Sequence, residues 1–566
     1  MIRKYVILAL FFALGACQST EKGPDLIIHN AYIYSVDSDK SVYEAIAIKG
    51  QLVYQLGSET EILKLQEAHT EVIDAEGAFV IPGLIEGHGH FSGYGQSLIN
   101  LNFLKSKSWE EIVSMVEARA KETPKGEWIY GRGWHQEKWE EVPEDHVHGY
   151  PRHFDLSELV PDHPVLLVHA SGHGLIANAK AMEISGVTPE TPNPAGGEIV
   201  RDDLGNAIGV FEERAQNIVR QAYSYYLEEQ SDEERLDNWY KGIDLAQKGC
   251  LENGITSFQD AGAGFEDMER YRKMADEGAF KIRLWSMLRE SASSLKGKTA
   301  QERIIGAGDN HFTCRAIKTE VDGALGSFGA WMLESYDDKE NFVGQNTTPI
   351  EEVEAIAKLA METDMQLCVH AIGDRANREV LDIMEPYIKS SNKDLRWRIE
   401  HSQHISSEDI PRFGSLGVIA SMQGIHCTSD SPFVEKRLGR ERARIEAYPW
   451  RGLIDNDAVV TNGTDVPVED INPIESLYAS MTRKRIDNGF EFFPENAMTR
   501  DEAIYSYTMA NAFAAFEENI KGSLEIGKLA DITILSQNLR TCSEDSLLDT
   551  KILYTIVSGE VLYEAE

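Results

Sequence analysis

Residues 79–90 read Phe79-Val80-Ile81-Pro82-Gly83-Leu84-Ile85-Glu86-Gly87-His88-Gly89-His90. The apolar start of this segment predicts a β-strand, which ends at a Pro-Gly break. His88 and His90 follow at the period of a strand, so both rings are expected on one side of the chain. Two neutral imidazoles on one face suit a divalent metal, although a lone His-x-His pair is weak evidence without its context.

Four later segments supply that context, because each is an apolar, strand-like run that ends in a possible ligand. These ligands are Lys318, His370, His401 and Asp465. Helical stretches lie between the runs, and the carboxyl ends of strands in a β/α barrel meet at one mouth. The sequence therefore predicts an α/β fold, a (β/α)8 TIM-like barrel with the candidate ligands at its mouth.

Short strand signals alternate with turns at both ends of the chain, in residues 25–82 and 519–566. This arrangement predicts one β-sandwich domain built from the two ends, around a barrel domain at 83–518. The interval from His90 to Lys318 is longer than its β/α units need, so an insertion is expected around 143–214, where Gly, Pro and Asp are frequent. Insertions of this kind lie on the active-site side of a barrel and shape specificity.

The first residues have the order of a signal peptide, with basic residues, an apolar run from Tyr5 to Leu14 and then small residues. That run is too short to cross a bilayer core of ~30 Å as a helix. Residues 1–16 are therefore expected to be an export signal, and 17–24 a linker. Leu14-Gly15-Ala16-Cys17 resembles a bacterial lipobox, which implies acylation of Cys17 and a periplasmic or cell-envelope lipoprotein; a buried cysteine is the alternative.

Composition limits the partners of this protein. Its 55 basic and 93 acidic residues give a formal net charge of -38, which repels phosphate backbones and anionic lipid headgroups. We therefore expect no nucleic acid partner, and contact with a membrane only through the lipid anchor. The apolar content of 42% and charged content of 26% are typical of a soluble globular protein large enough to bury a sizeable core.

Six motifs together resemble the amidohydrolase superfamily, and more closely its branch of N-substituted formamide deformylase-like proteins, amidohydrolase family 3. They are residues 82–90, Val321-Asp322-Gly323-Ala324-Leu325-Gly326-Ser327, His370-Ala371-Ile372-Gly373-Asp374-Arg375-Ala376, Glu400-His401-Ser402-Gln403, Ala420-Ser421-Met422-Gln423 with His426, and Gly463-Thr464-Asp465. The resemblance covers nearly the whole chain after the predicted signal peptide. It implies the same barrel and terminal sandwich, and a homodimer.

The resemblance also implies two divalent metal ions, with one held by His88, His90 and Asp465 and the other by His370 and His401. Lys318 would join them after reacting with carbon dioxide to form a carbamate, and Glu320 is the alternative bridging carboxylate. Zinc suits imidazole and carboxylate ligands best, although manganese or iron could occupy the same set.

Such a site predicts hydrolysis of a non-peptide carbon–nitrogen bond in a small-molecule amide, by a metal-bridged hydroxide. Asp465 would take the hydroxide's proton and pass it to the departing nitrogen. His426 is a candidate to hold the developing oxyanion. His173 and Asn178 are candidate substrate contacts and Trp134 a candidate apolar wall, with a structural role as the alternative for His426 and Trp134.

Two other functions are weighed against this hydrolase. A mononuclear deaminase of the same superfamily would typically carry a Glu three residues after His370, where this chain has Gly373. A catalytically inactive, lipid-anchored binding protein would be free to lose ligands, whereas all six metal positions hold residue types that can bind. The metal content of the purified protein distinguishes the three functions.

Overall fold

Eight parallel strands form the centre of the computed structural model, which describes residues 23–136, 139–140, 143–170, 174–194 and 197–565. The predicted signal peptide, Cys17 and His173 lie outside these residues. The strands are β1 (Leu84–Gly89), β2 (Ile255–Ala263), β3 (Arg283–Leu288), β4 (Phe312–Glu320), β5 (Gln366–Ala371), β6 (Arg398–His401), β7 (Ile419–Ser421) and β8 (Val460–Thr461).

The sheet curves into a nearly closed barrel. Each strand pairs in parallel with the next. Backbone hydrogen bonds from Gly87 N to Asn462 O (3.1 Å) and from Asp465 N to His88 O (2.7 Å) connect the first strand to the last. The α/β barrel predicted from the sequence is thus confirmed, because each ligand-bearing run contains a barrel strand. In the last run the strand ends at Thr461, and Asp465 lies in the loop that follows.

Helices cover the barrel, and several begin directly after a ligand-bearing strand. The main ones are α1 (Phe91–Ile99), α2 (Asp232–Glu252), α3 (Phe265–Asp276), α4 (Ile350–Thr363), α5 (Asp374–Ser390), α6 (Ile410–Leu416), α7 (Gly424–Ser429) and α8 (Pro473–Thr482). The long helix α2 starts at a capping box, in which Ser231 and Glu234 satisfy each other's backbone N–H groups. None of the helices in the described part of the chain has the length and hydropathy that crossing a bilayer requires.

A separate six-stranded sheet lies in sequence between β1 and β2. Its strands are Leu101–Asn102, Ile129–Trp134, Val165–His169, Gly174–Ala177, Gly197–Arg201 and Ala207–Glu213. It begins upstream of residue 143, and two longer helices, Trp109–Glu122 and Gln216–Glu229, accompany it. An apolar cluster that includes Ile112 and Leu167 gives this unit its own core.

Both ends of the chain contribute to a second six-stranded sheet. Its strands, in spatial order, are Val42–Tyr43, Tyr32–Tyr34, Phe79–Pro82, Ile532–Leu535, Ile552–Val557 and Glu560–Glu564. A four-stranded sheet of Leu52–Gly57, Ala45–Lys49, Leu26–His29 and Glu71–Asp74 shares an apolar cluster with it. The buried guanidinium of Arg283, on β3, donates to both carboxylate oxygens of Asp531 (2.6 and 2.9 Å) and so joins the barrel to these sheets.

Candidate metal centre

His88, His90 and Asp465 converge where the first and last barrel strands meet. His88 is fully buried at the end of β1, and His90 caps the start of α1. Asp465 Oδ1 lies 3.6 Å from His88 Nε2 and 3.3 Å from His90 Nε2. One ligand atom from each residue lies within 4.8 Å of the others, which is close enough for one metal ion to contact all three.

The loop after β8 reaches this position because Gly463 has no side chain. A Cβ on Gly463 would lie 2.4 Å from Glu86 Oε1 and 2.6 Å from His88 N. Asp465 itself adopts φ +61°, a left-handed conformation that costs energy for a non-glycine residue. Strained residues of this kind concentrate at functional sites, where the surrounding structure holds them in place.

A second group shares Asp465 with the first. His401, His426 and Asp465 also offer ligand atoms within 4.8 Å of one another. The ring of His401 lies 4.4 Å from that of His370 and 4.6 Å from that of His88, measured between centroids. The candidate ligands from β1, β5, β6 and the loop after β8 are therefore brought together, and His426 of α7 joins them.

The hydrogen bond at Nδ1 of each histidine decides whether its Nε2 can bind a metal or instead carries a proton. His88 Nδ1 lies 2.5 Å from Glu400 Oε2, and His401 Nδ1 lies 2.8 Å from Gln423 Oε1. Both partners only accept, so each Nδ1 carries the proton and each Nε2 keeps a free lone pair for a metal. The Gln403 amide instead donates to His426 Nδ1 (3.0 Å), which puts the proton of a neutral ring on Nε2. His426 is thereby a hydrogen-bond donor toward the centre.

Three buried ligand atoms of this centre have no hydrogen-bond partner in the described part of the chain, and a metal ion could bind them. His88 Nε2, His370 Nε2 and Asp465 Oδ1 are buried without a hydrogen-bond partner among the described residues. Each such atom costs about 1–3 kcal/mol when it is left unpaired. Imidazole nitrogens and a carboxylate are ligands that zinc accepts, so a divalent metal would satisfy all three atoms.

Protonation states agree with this donor set. Burial, aided by the charge of Lys318, lowers the pKa of His88 to about 4 and that of His370 to about 3. Burial raises the pKa of Asp465, but the neighbouring histidines outweigh it and hold the pKa well below its usual value. Near neutral pH the imidazoles of His88 and His370 are neutral and the carboxylate of Asp465 is charged, which are their metal-binding forms.

Lys318 and Glu320 differ in their surroundings although both lie on β4. Lys318 is 4% exposed, and its side chain makes no hydrogen bond or ion pair with a described residue. Burial lowers its pKa, against the opposing effect of Glu400 and Asp465. Glu320 is 40% exposed and is paired with Arg289. Of the two alternatives for the bridging position, only Lys318 is buried and free.

Glu400 contacts the candidate ligand His88, although the sequence indicated it only as part of a motif. Its buried carboxylate accepts from His88 and is paired with Arg398 (Nε to Oε1, 2.7 Å). Arg398 also donates to Gly87 O (3.0 Å) and Ser421 Oγ (2.7 Å). Arg398 and Glu400 lie two residues apart on β6 and therefore on one face of the strand, and this signal could have placed both on the same side of the barrel wall.

Trp134, the candidate apolar wall, ends one strand of the inserted sheet, and Asn178, a candidate substrate contact, follows another. Trp134 is buried there, and its indole N–H donates to Leu167 O (2.9 Å). Asn178 is fully buried at the start of a short helix, where it accepts from Ala181 N (3.0 Å) and donates to His163 O (2.8 Å). These contacts give both side chains a structural role within the insertion.

Several known proteins are similar to this chain over most of its length. A family model described as Amidohydrolase family matches residues 71–563. The chain is 30% identical to Protein LONG AFTER FAR-RED 3 of Arabidopsis thaliana, over 95% of this chain and 91% of that protein. It is 27% identical to the N-substituted formamide deformylase of Arthrobacter pascens, over 95% and 98%. The structure of an uncharacterized metal-dependent hydrolase from Pyrococcus horikoshii superposes with a TM-score of 0.72 at 23% identity, over 92% of this chain and 99% of that one.

Proposed function

Since this chain belongs to the amidohydrolase family, we propose that it is a metal-dependent hydrolase and that it cleaves a non-peptide carbon–nitrogen bond of a small-molecule amide. The observation that carries the proposal is the position of Asp465, whose carboxylate lies within ligand distance of His88 and His90 on one side and of His401 on the other. The N-substituted formamide deformylase among its relatives supports an amide-type substrate.

We propose that two divalent metals, zinc in the first place and otherwise manganese or iron, occupy this centre, held by His88, His90, Asp465, His370, His401 and Lys318. When bound, the metals supply an activated water and polarise the scissile carbonyl. Asp465 accepts a proton from that water and delivers it to the departing nitrogen. The Nε2–H of His426 donates to the carbonyl oxygen as negative charge develops there.

We further propose that Lys318 is carboxylated. Its neutral amine would attack the carbon of carbon dioxide and lose a proton, which leaves a carbamate with two oxygens that can bridge the metals. The burial of Lys318 and its lack of partners support this, as does the outward pairing of Glu320. Mass spectrometry of the intact, non-acidified protein would detect the added carbon dioxide, and Lys318→Arg should lack it.

A substrate screen tests the proposed function. Protein loaded with zinc or manganese, in bicarbonate, would be assayed against N-formyl, N-acyl and cyclic amides for amine release, and its metal content measured. About two metal equivalents and amine release are expected. One equivalent with ammonia release would favour a deaminase, and protein that binds no metal and releases nothing would contradict the proposal.

The organisation of the chain adds further proposals. Residues 25–82 with 519–566 would form one sandwich domain, supported by the apolar cluster that their two sheets share, around a barrel at 83–518 with an insertion around 143–214.

We also propose export, with residues 17–24 as a linker after cleavage, lipid anchoring at Cys17, and a homodimer. Labelling with a radioactive fatty acid should be lost in Cys17→Ser, and light scattering of the detergent-solubilised protein would give its mass.

A further inference from the structure

A cavity of about 470 Å³ lies beside the candidate metal centre. Pro467 and Val468, which follow Asp465 in the chain, form part of its wall, and Val468 N donates to Asp465 O (2.8 Å). Gly93 of α1 forms another part, where an added Cβ would lie 3.4 Å from His90 Cβ. The opposite wall comes from the inserted sheet and its helix Gln216–Glu229. A volume of this size is that of a small-molecule site.

The charge of this cavity is opposite to that of the protein. Arg132 and Arg220 are the two charged residues among the described residues of its lining, and none of those residues is acidic. The chain as a whole carries a formal charge of -38. Two acidic residues, Glu469 and Asp470, follow Val468 in the same loop outside this lining, and Asp470 is paired with Lys105 (2.6 Å).

Both guanidinium groups are available to a ligand. Arg220 donates to the neutral amide oxygen of Gln216 (3.1 Å) and is paired with no carboxylate of the described chain. Arg132 is exposed in the cavity wall, and no described residue forms an ion pair with it. A guanidinium binds a carboxylate through two parallel hydrogen bonds, which a neutral group of the same size cannot provide.

The rest of the lining combines apolar and aromatic side chains with uncharged polar ones, which are Gln96, Ser97, Asn100, Asn102 and Ser224. The rings of Tyr130 and Tyr223 stack at 5.3 Å with an angle of 15° between their planes, and Leu104 and Leu227 lie near them. These surfaces favour an apolar or aromatic ligand arm next to the cationic groups. We infer that the cavity anchors a substrate carboxylate, so that the preferred substrates are amides carrying a carboxylate and an apolar arm; this inference rests on the proposed function.

A binding experiment tests the anchor without any reaction. Calorimetry on the full chain, treated with chelator so that no metal can bind the probe, would compare 3-phenylpropionate with the neutral 3-phenylpropan-1-ol. The carboxylate should bind about tenfold more tightly. Arg132→Gln alone should reduce this preference, and Arg132→Gln with Arg220→Gln should remove it. Arg235→Gln, at an exposed pair on α2, is the matched control.

Equal binding of the two probes, or a preference that survives the double substitution, would overturn the anchor. Kinetics separate this from the proposed function. N-formylphenylalanine should have a KM about tenfold below that of N-formylphenethylamine, which lacks only the carboxylate, and the arginine substitutions should raise KM for the acid alone. Equal hydrolysis of both leaves the hydrolase in place without its anchor. If neither is hydrolysed, the proposed function fails for these amides while calorimetry still decides the anchor.

Discussion

Replacing Glu400 by glutamine tests whether the carboxylate behind His88 controls metal binding. Glu400 accepts from His88 Nδ1 at 2.5 Å and is paired with Arg398 at 2.7 Å, and all three side chains are buried. Burial raises the pKa of Glu400, but Arg398 and His88 outweigh it and hold the pKa well below its usual value. Glutamine keeps the shape of the side chain and removes its charge.

Two losses are expected, and they can be measured separately. Breaking a buried ion pair by removing one partner costs about 3–5 kcal/mol of stability. We expect the lower end, because Arg398 keeps its hydrogen bonds to Gly87 O and Ser421 Oγ. Losing the carboxylate behind a metal-binding histidine costs about 10–100-fold in affinity, or about 1.4–2.8 kcal/mol.

Denaturation of the metal-free protein would measure the first loss, and competition with a chelator of known affinity the second. The matched control is Glu379→Gln, which removes a partly exposed carboxylate 3.4 Å from Arg375. That substitution should change stability by less than about 1 kcal/mol and leave metal affinity unaltered. A Glu400→Gln protein that binds metal as tightly as the unchanged protein would refute the role assigned to Glu400.

Three other outcomes are expected. Asp465→Asn should lower kcat by about 10²–10⁴-fold with an unchanged circular dichroism spectrum, and an active variant would contradict its role in proton transfer. Asp531→Asn should cost about 3–5 kcal/mol of stability, since Arg283 would lose its buried partner. Burial raises the pKa of Asp531, but the charge of Arg283 outweighs this effect, so the pKa in the folded protein is lowered. The stability that the pair contributes is therefore present above the pKa of the unfolded chain and is lost as pH falls through the pKa of the folded protein. Between about pH 7 and about pH 2, the thermal midpoint should fall less in the variant than in the unchanged protein. Removing metal with a chelator should lower the thermal midpoint, and metal added back at about 100 times its Kd should restore about 2.7 kcal/mol; a midpoint indifferent to both would oppose a structural contribution of metal binding.

The barrel could be predicted because its signal is local. Each ligand follows an apolar run of strand length, and parallel strands can bring such positions to one mouth. The segment 79–90 was less transparent, since it holds two strands of different sheets. The chain passes from one sheet to the other at Gly83, where a Cβ would lie 2.1 Å from Thr256 Oγ1. Because Thr256 is distant in the sequence, the residues around Gly83 do not indicate this contact.

The finer features of the site depend on contacts between distant parts of the chain. The proton on His426 Nε2 follows from a hydrogen bond with Gln403, and the orientation of His88 from one with Glu400. Asn178 is of a residue type that often binds ligands, but its amide forms hydrogen bonds with the backbone of His163 and Ala181. Residue types alone do not distinguish these cases, because each depends on which partner the fold supplies.

The shared carboxylate has a consequence for biosynthesis. Asp465 follows the last barrel strand, whereas His88 and His90 belong to the first, so a nascent polypeptide emerging from the ribosome carries the early histidines long before their anionic partner. Until translation passes β8, His88 and His90 lack the Asp465 carboxylate and can bind an ion only weakly. At the proposed metal site, binding by all of the ligands would therefore follow folding of the whole barrel.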